Sequence, residues 1–304
     1  MGDPKNDWDI SLDVSQLTGG GVTDRMDRAA ILSRREPLRR GNVVYLPPTG
    51  DVVILGDLHG DMENLRRVVD WASLQIHPNR HLVLQELLHG GAEDGRGGDM
   101  SFRLLEEAAA LKCRFRSQIH VLLSNHDLSE ITGTTITKGG QPANERFRRG
   151  IENAHGPAAS EVHLAYLRFL GALPLAARSA QGLFISHSTP SGEAVPTFDY
   201  TILDRPLTAV DCQAGGAAYE LLWGRNHDQA SADEFARNVG ARILVTGHQT
   251  CLPGVKAPTS RHIILTSDGP LGTFLPTSLE LALSHAVVLR QVRRIQGLQA
   301  GKSR

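Results

Sequence analysis

The chain has 304 residues, 40% hydrophobic and 21% charged, a globular balance that excludes a disordered or fibrous protein and is long enough for a large core. Its formal net charge of −1 and 5% aromatic content leave no electrostatic or base-stacking footprint for nucleic acid or an acidic membrane. Cys113, Cys212 and Cys251 stand far apart with no CxxC pair, which argues against a disulfide framework and a cysteine zinc site. A polar, acidic start and the lack of any apolar run of about 18 residues predict a cytoplasmic protein with no signal peptide and no membrane span.

From the N-terminus, residues 1–22 are polar and end in Gly19-Gly20-Gly21, the pattern of a loosely packed arm. Residues 23–40 predict an arginine-rich helix that Pro37 ends, its arginines forming a solvated face. Then short Val/Ile/Leu runs read as buried strands at 52–55, 82–84, 119–123, 183–185 and 243–245. Helical patterns at 62–74, 100–112 and 161–170 separate several of them. Residues 131–160, basic around Arg146, Arg148 and Arg149, read as a solvated loop and helix, with a substrate-choosing lid as the alternative. Residues 277–297 read as a closing strand or helix running into a frayed basic tail. Strands alternating with helices predict an α/β layered fold, organised as an arm and helix over 1–45, one domain over 46–290 and a tail over 291–304.

The residues that follow the apolar runs carry the chemistry. VVIL leads to Gly56-Asp57-Leu58-His59, LVL to Gln85-Glu86, IHVLL to Ser124-Asn125-His126-Asp127, LFI to Ser186-His187, and ILV to Thr246-Gly247-His248. Taken singly, each is more readily a capped turn or a satisfied histidine than a ligand. Five strand ends delivering Asp, His, Glu, Asn and further His together are not five accidents, because ligands bind where the strands of an α/β sheet end. Carboxylates, imidazoles and an amide oxygen are the mixed N/O donors that manganese, iron or zinc accept, and the set lacks thiolates. It suits two divalent cations held by a shared carboxylate.

These residues resemble the calcineurin-like metallophosphoesterases. Gly56-Asp57-Leu58-His59-Gly60 is similar to that family's GDxHG motif, Asn125-His126-Asp127 to its NH(E/D) motif, and His187 and Gly247-His248 to its later histidine motifs. Leu222-Trp223-Gly224-Arg225 resembles a late segment of the phosphoprotein phosphatase branch. The resemblance covers roughly residues 50–270 and implies two mixed β-sheets packed face to face and flanked by helices, an αββα sandwich. It implies that Asp57 and His59 bind one metal, that Asn125, His187 and His248 bind a second, that His126 is the general acid, and that Arg225 holds phosphate oxygens, with a surface ion pair as the plainer role for Arg225.

The second motif departs from the pattern. Where the family writes GDxxDRG, this chain writes Gln85-Glu86-Leu87-Leu88-His89-Gly90-Gly91. Glu86 stands at the bridging carboxylate, one methylene longer, and either bridges both metals or binds only one. His89 replaces the Asp that orients the general acid, and Gly90 replaces the phosphate-binding Arg. The Gly-rich insertion that follows contains Glu93, Asp94, Arg96 and Asp99, from which Arg96 is expected to replace the lost Arg and one of the acids to orient His126, unless the insertion is a plain flexible loop. His89, His120, His155, His163 and His262 receive no role.

The expected activity is hydrolysis of phosphomonoesters with two divalent metals, manganese first and iron or zinc as alternatives, by in-line attack of water without a covalent phosphoenzyme. The expected substrate is phosphoserine or phosphothreonine in a protein, or a small phosphoester. Two alternatives are a hydrolase of dinucleoside polyphosphates or other nucleotides, and a metal-binding, catalytically weak protein that recognises phosphorylated partners. Nucleic acid and membrane partners are not expected, and the sequence is silent on oligomeric state.

Overall fold

The computed structural model describes residues 21–138, 140–282 and 284–298. Residues 1–20 of the arm expected over 1–22 and the last residues of the expected tail, 299–304, lie outside them, and Val22 already belongs to the first helix. The chain begins with α1 (Val22–Arg34) and the short strands β1 (Arg39–Arg40) and β2 (Val43–Leu46). Strands β3 (Asp51–Asp57), β4 (Arg80–Gln85) and β5 (Ile119–Val121) follow, separated by α2 (Met62–Ala72) and α3 (Phe102–Phe115). Next come α4 (Asn125–Thr132), the hairpin of β6 (Thr137–Lys138) and β7 (Gln141–Pro142), α5 (Ala143–His155) and α6 (Ala159–Leu170). The second half holds β8 (Ala176–Ser179), β9 (Leu183–Ser186), α7 (Ala217–Trp223), α8 (Gln229–Asn238), β10 (Ile243–Thr246), β11 (Val255–Thr259), β12 (His262–Leu265), β13 (Thr273–Ser278), α9 (His285–Leu289) and β14 (Arg293–Arg294).

The strands form a seven-stranded sheet, ordered β1-β2-β8-β9-β10-β12-β11, and a five-stranded sheet, ordered β14-β13-β3-β4-β5. β3, β4 and β5 are mutually parallel, as are β9, β10 and β12, while β8, β11 and β13 run antiparallel to neighbours. Both sheets are therefore mixed, as the resemblance implies. Their facing surfaces make one apolar layer, in which Val52, Ile54, Val83 and Leu275 of one sheet meet Ile185, Ile243, Val245 and Ile263 of the other. The opposite faces lie under helices: Val53 and Leu55 of β3 pack with Leu65 and Val68 of α2. A strand covered on both sides must be apolar at every position, so VVIL reads as a continuous run rather than an alternating one.

Helix ends have local causes. Asp61 caps α2 by accepting from the Asn64 amide at 2.9 Å, so this Asp of the GDLHGD stretch is structural. α1 stops at Arg34, before Pro37, whose ring disfavours helical backbone at Glu36. Arg25, Arg28, Arg34 and Arg35 on this helix are exposed, whereas Met26, Ala29 and Ala30 pack into the core. On its buried side Asp27 accepts both guanidinium hydrogen bonds of Arg168 on α6, at 2.7 and 2.8 Å.

Two expectations change. Part of the segment read as a frayed tail is packed instead, because β14 pairs with β13 and Ile295 is fully buried. The segment 131–160 is mostly the hairpin and α5, and α5 buries Phe147 and Ile151 on one face, which solvated sequence alone did not suggest.

Candidate metal centre

The parallel strands of the two sheets end at one place. Asp57 closes β3 and forms an isolated parallel bridge with Thr266, just beyond β12, which joins the ends of the two sheets. Gly247 permits this closeness: a Cβ there would lie 2.1 Å from Asp57 Oδ1. Gly56 does the same on the strand, where a Cβ would lie 1.9 Å from the Leu265 carbonyl oxygen.

Glu86 is the centre of the arrangement. His59, Glu86 and His126 each place a ligand atom within 4.8 Å of one another, and so do Glu86, His187 and His248. Glu86 is thus common to two donor groups. Its Oε1 accepts from Ser124 Oγ at 3.0 Å, and its Oε2 lies 3.0 Å from His187 Nε2. Ser124 is also half of a capping box, accepting from the Asp127 amide while Asp127 accepts from the Ser124 amide. That box starts α4 at Asn125 and sets the direction of Asn125 and His126. Asn125 Oδ1 lies 2.6 Å from His187 Nε2 and 3.2 Å from His248 Nδ1. The His248 amide donates to Asp57 Oδ1 at 2.7 Å, and His59 Nδ1 lies 3.0 Å from the Leu88 carbonyl. All six residues expected as ligands are therefore gathered here.

Backbone strain is concentrated at the same place. His59, Glu86, His89 and His248 all have left-handed backbones, with φ of 43°, 45°, 61° and 67°. Non-glycine residues hold this conformation only when their surroundings over-determine it, which happens most at functional sites. Glu86 takes this conformation directly after β4.

The surroundings of His126 differ from expectation. None of the insertion's acids orients it in the contacts formed. Asp99 accepts from the Gly90 amide at 2.8 Å and the Ser101 amide at 2.7 Å, Asp94 accepts from the Arg96 and Gly98 amides, and Glu93 pairs with Arg146. The insertion is a folded loop, fastened by a buried Asp. Arg96 donates to the Asn153 carbonyl on α5 at 3.0 Å, so the contacts that build the cluster do not include it. Arg225 does reach the cluster, its Nε donating to His248 Nε2 at 3.1 Å. His126 Nδ1 instead lies 3.0 Å from His89 Nδ1, and His89 Nε2 lies 3.0 Å from Glu130 Oε1. Neither Glu130 nor the capping role of Ser124 was read from the sequence, although Glu130 is four residues after His126 on a helix and Ser124 begins an S-x-x-D cap.

The donor set fits divalent cations. Burial raises the Asp57 carboxyl to about 7, with His187 opposing and Glu86 adding to the rise, and burial with Glu86 likewise raises Asp127 to about 7. Burial lowers His187, and burial with His187 and Arg225 takes His248 to about 2, so both imidazoles are neutral, as ligation requires. His187 Nδ1 is buried without a hydrogen-bond partner. Crowded buried carboxylates beside neutral imidazoles and an orphaned ring nitrogen are what a cation would satisfy.

The model of the calcineurin-like phosphoesterase family matches residues 50–252, more than half the chain and every residue from Asp57 to His248. The chain belongs to that family. It is accordingly a phosphoric ester hydrolase of a family that works with divalent metals. Among curated proteins none matches. Among solved structures, a protein serine/threonine phosphatase from Saccharomyces cerevisiae with similarity to human phosphatase PP5 shares 14% identity, with 87% of this chain and 82% of that one covered and a TM-score of 0.63. A cold-active protein-tyrosine phosphatase of a psychrophilic Shewanella shares 15% identity over 77% of this chain and 76% of its own, with a TM-score of 0.55. At these identities the likeness establishes the fold. Among the described residues, no helix is long and apolar enough to cross a membrane.

Proposed function

We propose that this phosphoesterase is a dinuclear metal-dependent phosphomonoesterase that acts on phosphorylated protein side chains. The observation that carries the dinuclear reading is Glu86, a single buried carboxylate that meets His59 and His126 on one side and His187 and His248 on the other, with His126 kept for proton transfer and Asp57 taken as the further ligand. In this reading Asp57 and His59 would hold one cation, Asn125, His187 and His248 the other, and the Glu86 carboxylate would be available to both. Manganese suits the mixed N/O donors, with iron or zinc as alternatives. Divalent cations supply charge to offset that developing on phosphorus and make water nucleophilic near neutral pH.

The chain's own residues then bind and move the rest. Arg225, adjoining His248, offers a planar guanidinium to two phosphate oxygens. His126 gives a proton to the leaving oxygen, work suited to an imidazole at neutral pH. Choice of a protein substrate is supported by the Trp223–Arg225 segment and by the S. cerevisiae serine/threonine phosphatase among the structural relatives. A metal-binding protein of weak hydrolytic power is the second reading. It is favoured by Gly90, which offers no guanidinium at its motif position, and by the attachment of Arg96 to α5.

Elemental analysis of the purified protein, with phosphate release from p-nitrophenyl phosphate, a phosphoserine peptide and a dinucleoside tetraphosphate after manganese addition, tests the proposal. About two metals per chain and preference for the peptide are expected. Preference for the dinucleotide would replace the substrate class, and tight peptide binding without phosphate release would favour the second reading.

A further inference from the structure

The motif that orients the general acid in the family pattern has His89 in place of its carboxylate, and a buried chain of contacts runs outward from it. His126 Nδ1 meets His89 Nδ1 at 3.0 Å, and His89 Nε2 meets Glu130 Oε1 at 3.0 Å. Glu130 is held in turn by Asn144 Nδ2, which donates to Oε1 at 2.7 Å, and His163 Nε2 stands 3.5 Å from Oε2 without a hydrogen bond. His89, Glu130 and Asn144 are at most 4% exposed.

Two imidazoles in contact through Nδ1 cannot both donate or both accept, so one carries the hydrogen. The choice is made on the far side of His89. An ionised carboxylate only accepts, so His89 bears its proton on Nε2 and gives it toward Glu130. Burial alone would push the Glu130 carboxyl up, but its contacts with His163 and His89 bring it down to about 2, which keeps it the acceptor. When His89 carries only that hydrogen, its Nδ1 keeps a lone pair. His126 must therefore donate Nδ1–H to it, and the acid form of His126 is the imidazolium, which carries its second proton on Nε2, gives that proton to the leaving oxygen and is left neutral with Nδ1–H.

We propose that Glu130, acting through His89, is the positioning residue of the general acid and replaces the missing motif carboxylate. This rests on the reading of His126 given above. Local structure supports it. Glu130 lies one turn after His126 on α4, so both side chains share a face and one imidazole can span between them. The His89 amide donates to Ser101 Oγ at 2.9 Å, its ring stands edge-on to Phe147 at 5.4 Å, and its left-handed backbone aims it inward. The carboxylate has moved from the loop after β4 to the helix after β5, and a longer aromatic side chain spans the added distance.

Two measurements test this. Ring ¹⁵N shifts of the metal-free wild type, above neutral pH, should show His89 protonated on Nε2 and His126 on Nδ1; the opposite tautomer of either overturns the proposal. The second measurement compares p-nitrophenyl phosphate with phenyl phosphate in wild type and Glu130→Gln. Protonation matters more for the more basic leaving group. In the variant, kcat on phenyl phosphate should fall ~10²-fold, the low end for general acid catalysis, and fall about 10-fold less on p-nitrophenyl phosphate, with KM and metal content unchanged. Equal loss on both substrates, or loss confined to KM, would mean that Glu130 is merely structural. Should the variant fail to fold, the wild-type tautomers decide. If wild type hydrolyses no phosphomonoester, the proposed function fails, and the tautomers still decide whether Glu130 sets the proton on His126.

Discussion

Asp57→Asn in the metal-free protein isolates the charge stored at the centre. Asn keeps an oxygen to accept from the His248 amide, the contact that Asp57 makes at 2.7 Å, so the geometry survives. Only the ionisable group is lost. Folded Asp57 holds its proton up to about pH 7, whereas the unfolded side chain ionises near 3.8, so its contribution to wild-type stability falls as pH rises through that window. A rise of about three units corresponds to ~4 kcal/mol. With Asn standing in for the protonated acid, the variant's advantage should grow from under ~1 kcal/mol near pH 4 to ~4 kcal/mol above pH 7. His248, lowered chiefly by burial and by cationic neighbours, titrates alike in both proteins and cancels in the difference, whereas His187, which the Asp57 charge raises, does not and is part of the measured gap. Thermal melts of both chelator-treated proteins across this range should show the gap opening toward alkaline pH and reaching on the order of 10 °C. Adding manganese at neutral pH should reverse the order, since a bound cation offsets the charge that burial alone penalises. A gap that stays constant with pH, or a variant less stable throughout, would refute the assignment of this strain to a buried, crowded carboxylate.

Glu86→Gln should reduce bound metal from about two per chain to at most one and abolish p-nitrophenyl phosphate hydrolysis; two metals with full turnover would remove Glu86 from the bridge. Asp99→Ala leaves the buried Ser101 amide and the part-buried Gly90 contact without an acceptor and should destabilise the metal-free protein by ~2 kcal/mol in urea denaturation, at ~1–3 kcal/mol for the buried partner. An unchanged midpoint would show the insertion to be a detached loop after all. Gly247→Ala places a Cβ 2.1 Å from Asp57 Oδ1 and should weaken metal binding ~10–100-fold by displacing that carboxylate, as measured by metal titration. Wild-type affinity in that variant would mean that Asp57 is not a ligand.

Much of this site was legible because its residues sit in short local patterns. A strand buried on both faces is a continuous apolar run, so β3, β4, β5, β9 and β10 announced themselves, and the polar residues ending each run followed. Strands whose apolar signal is brief or interrupted did not: β8 reads AARS, and β13 carries Pro276 at its pairing with Val53. The caps at Asp61 and Ser124 are equally local and could have been read from spacing.

Other features belong to the tertiary structure alone. Asp57 and the His248 amide are 191 residues apart, and Asn125 and His187 are 62 apart; only the packing of one sheet on the other brings them within hydrogen-bond distance. Which side chain replaces the motif's missing acid was likewise decided in space. The nearby carboxylates of the insertion were the natural candidates by sequence, yet Asp94 and Asp99 are spent on their own loop's amides. Glu130 reaches His126 only through His89, 41 residues earlier in the chain. Sequence proximity sets which groups can meet through a turn or a cap, and for the rest a hydrogen bond depends on three ångströms of space that only the assembled sheets and helices define.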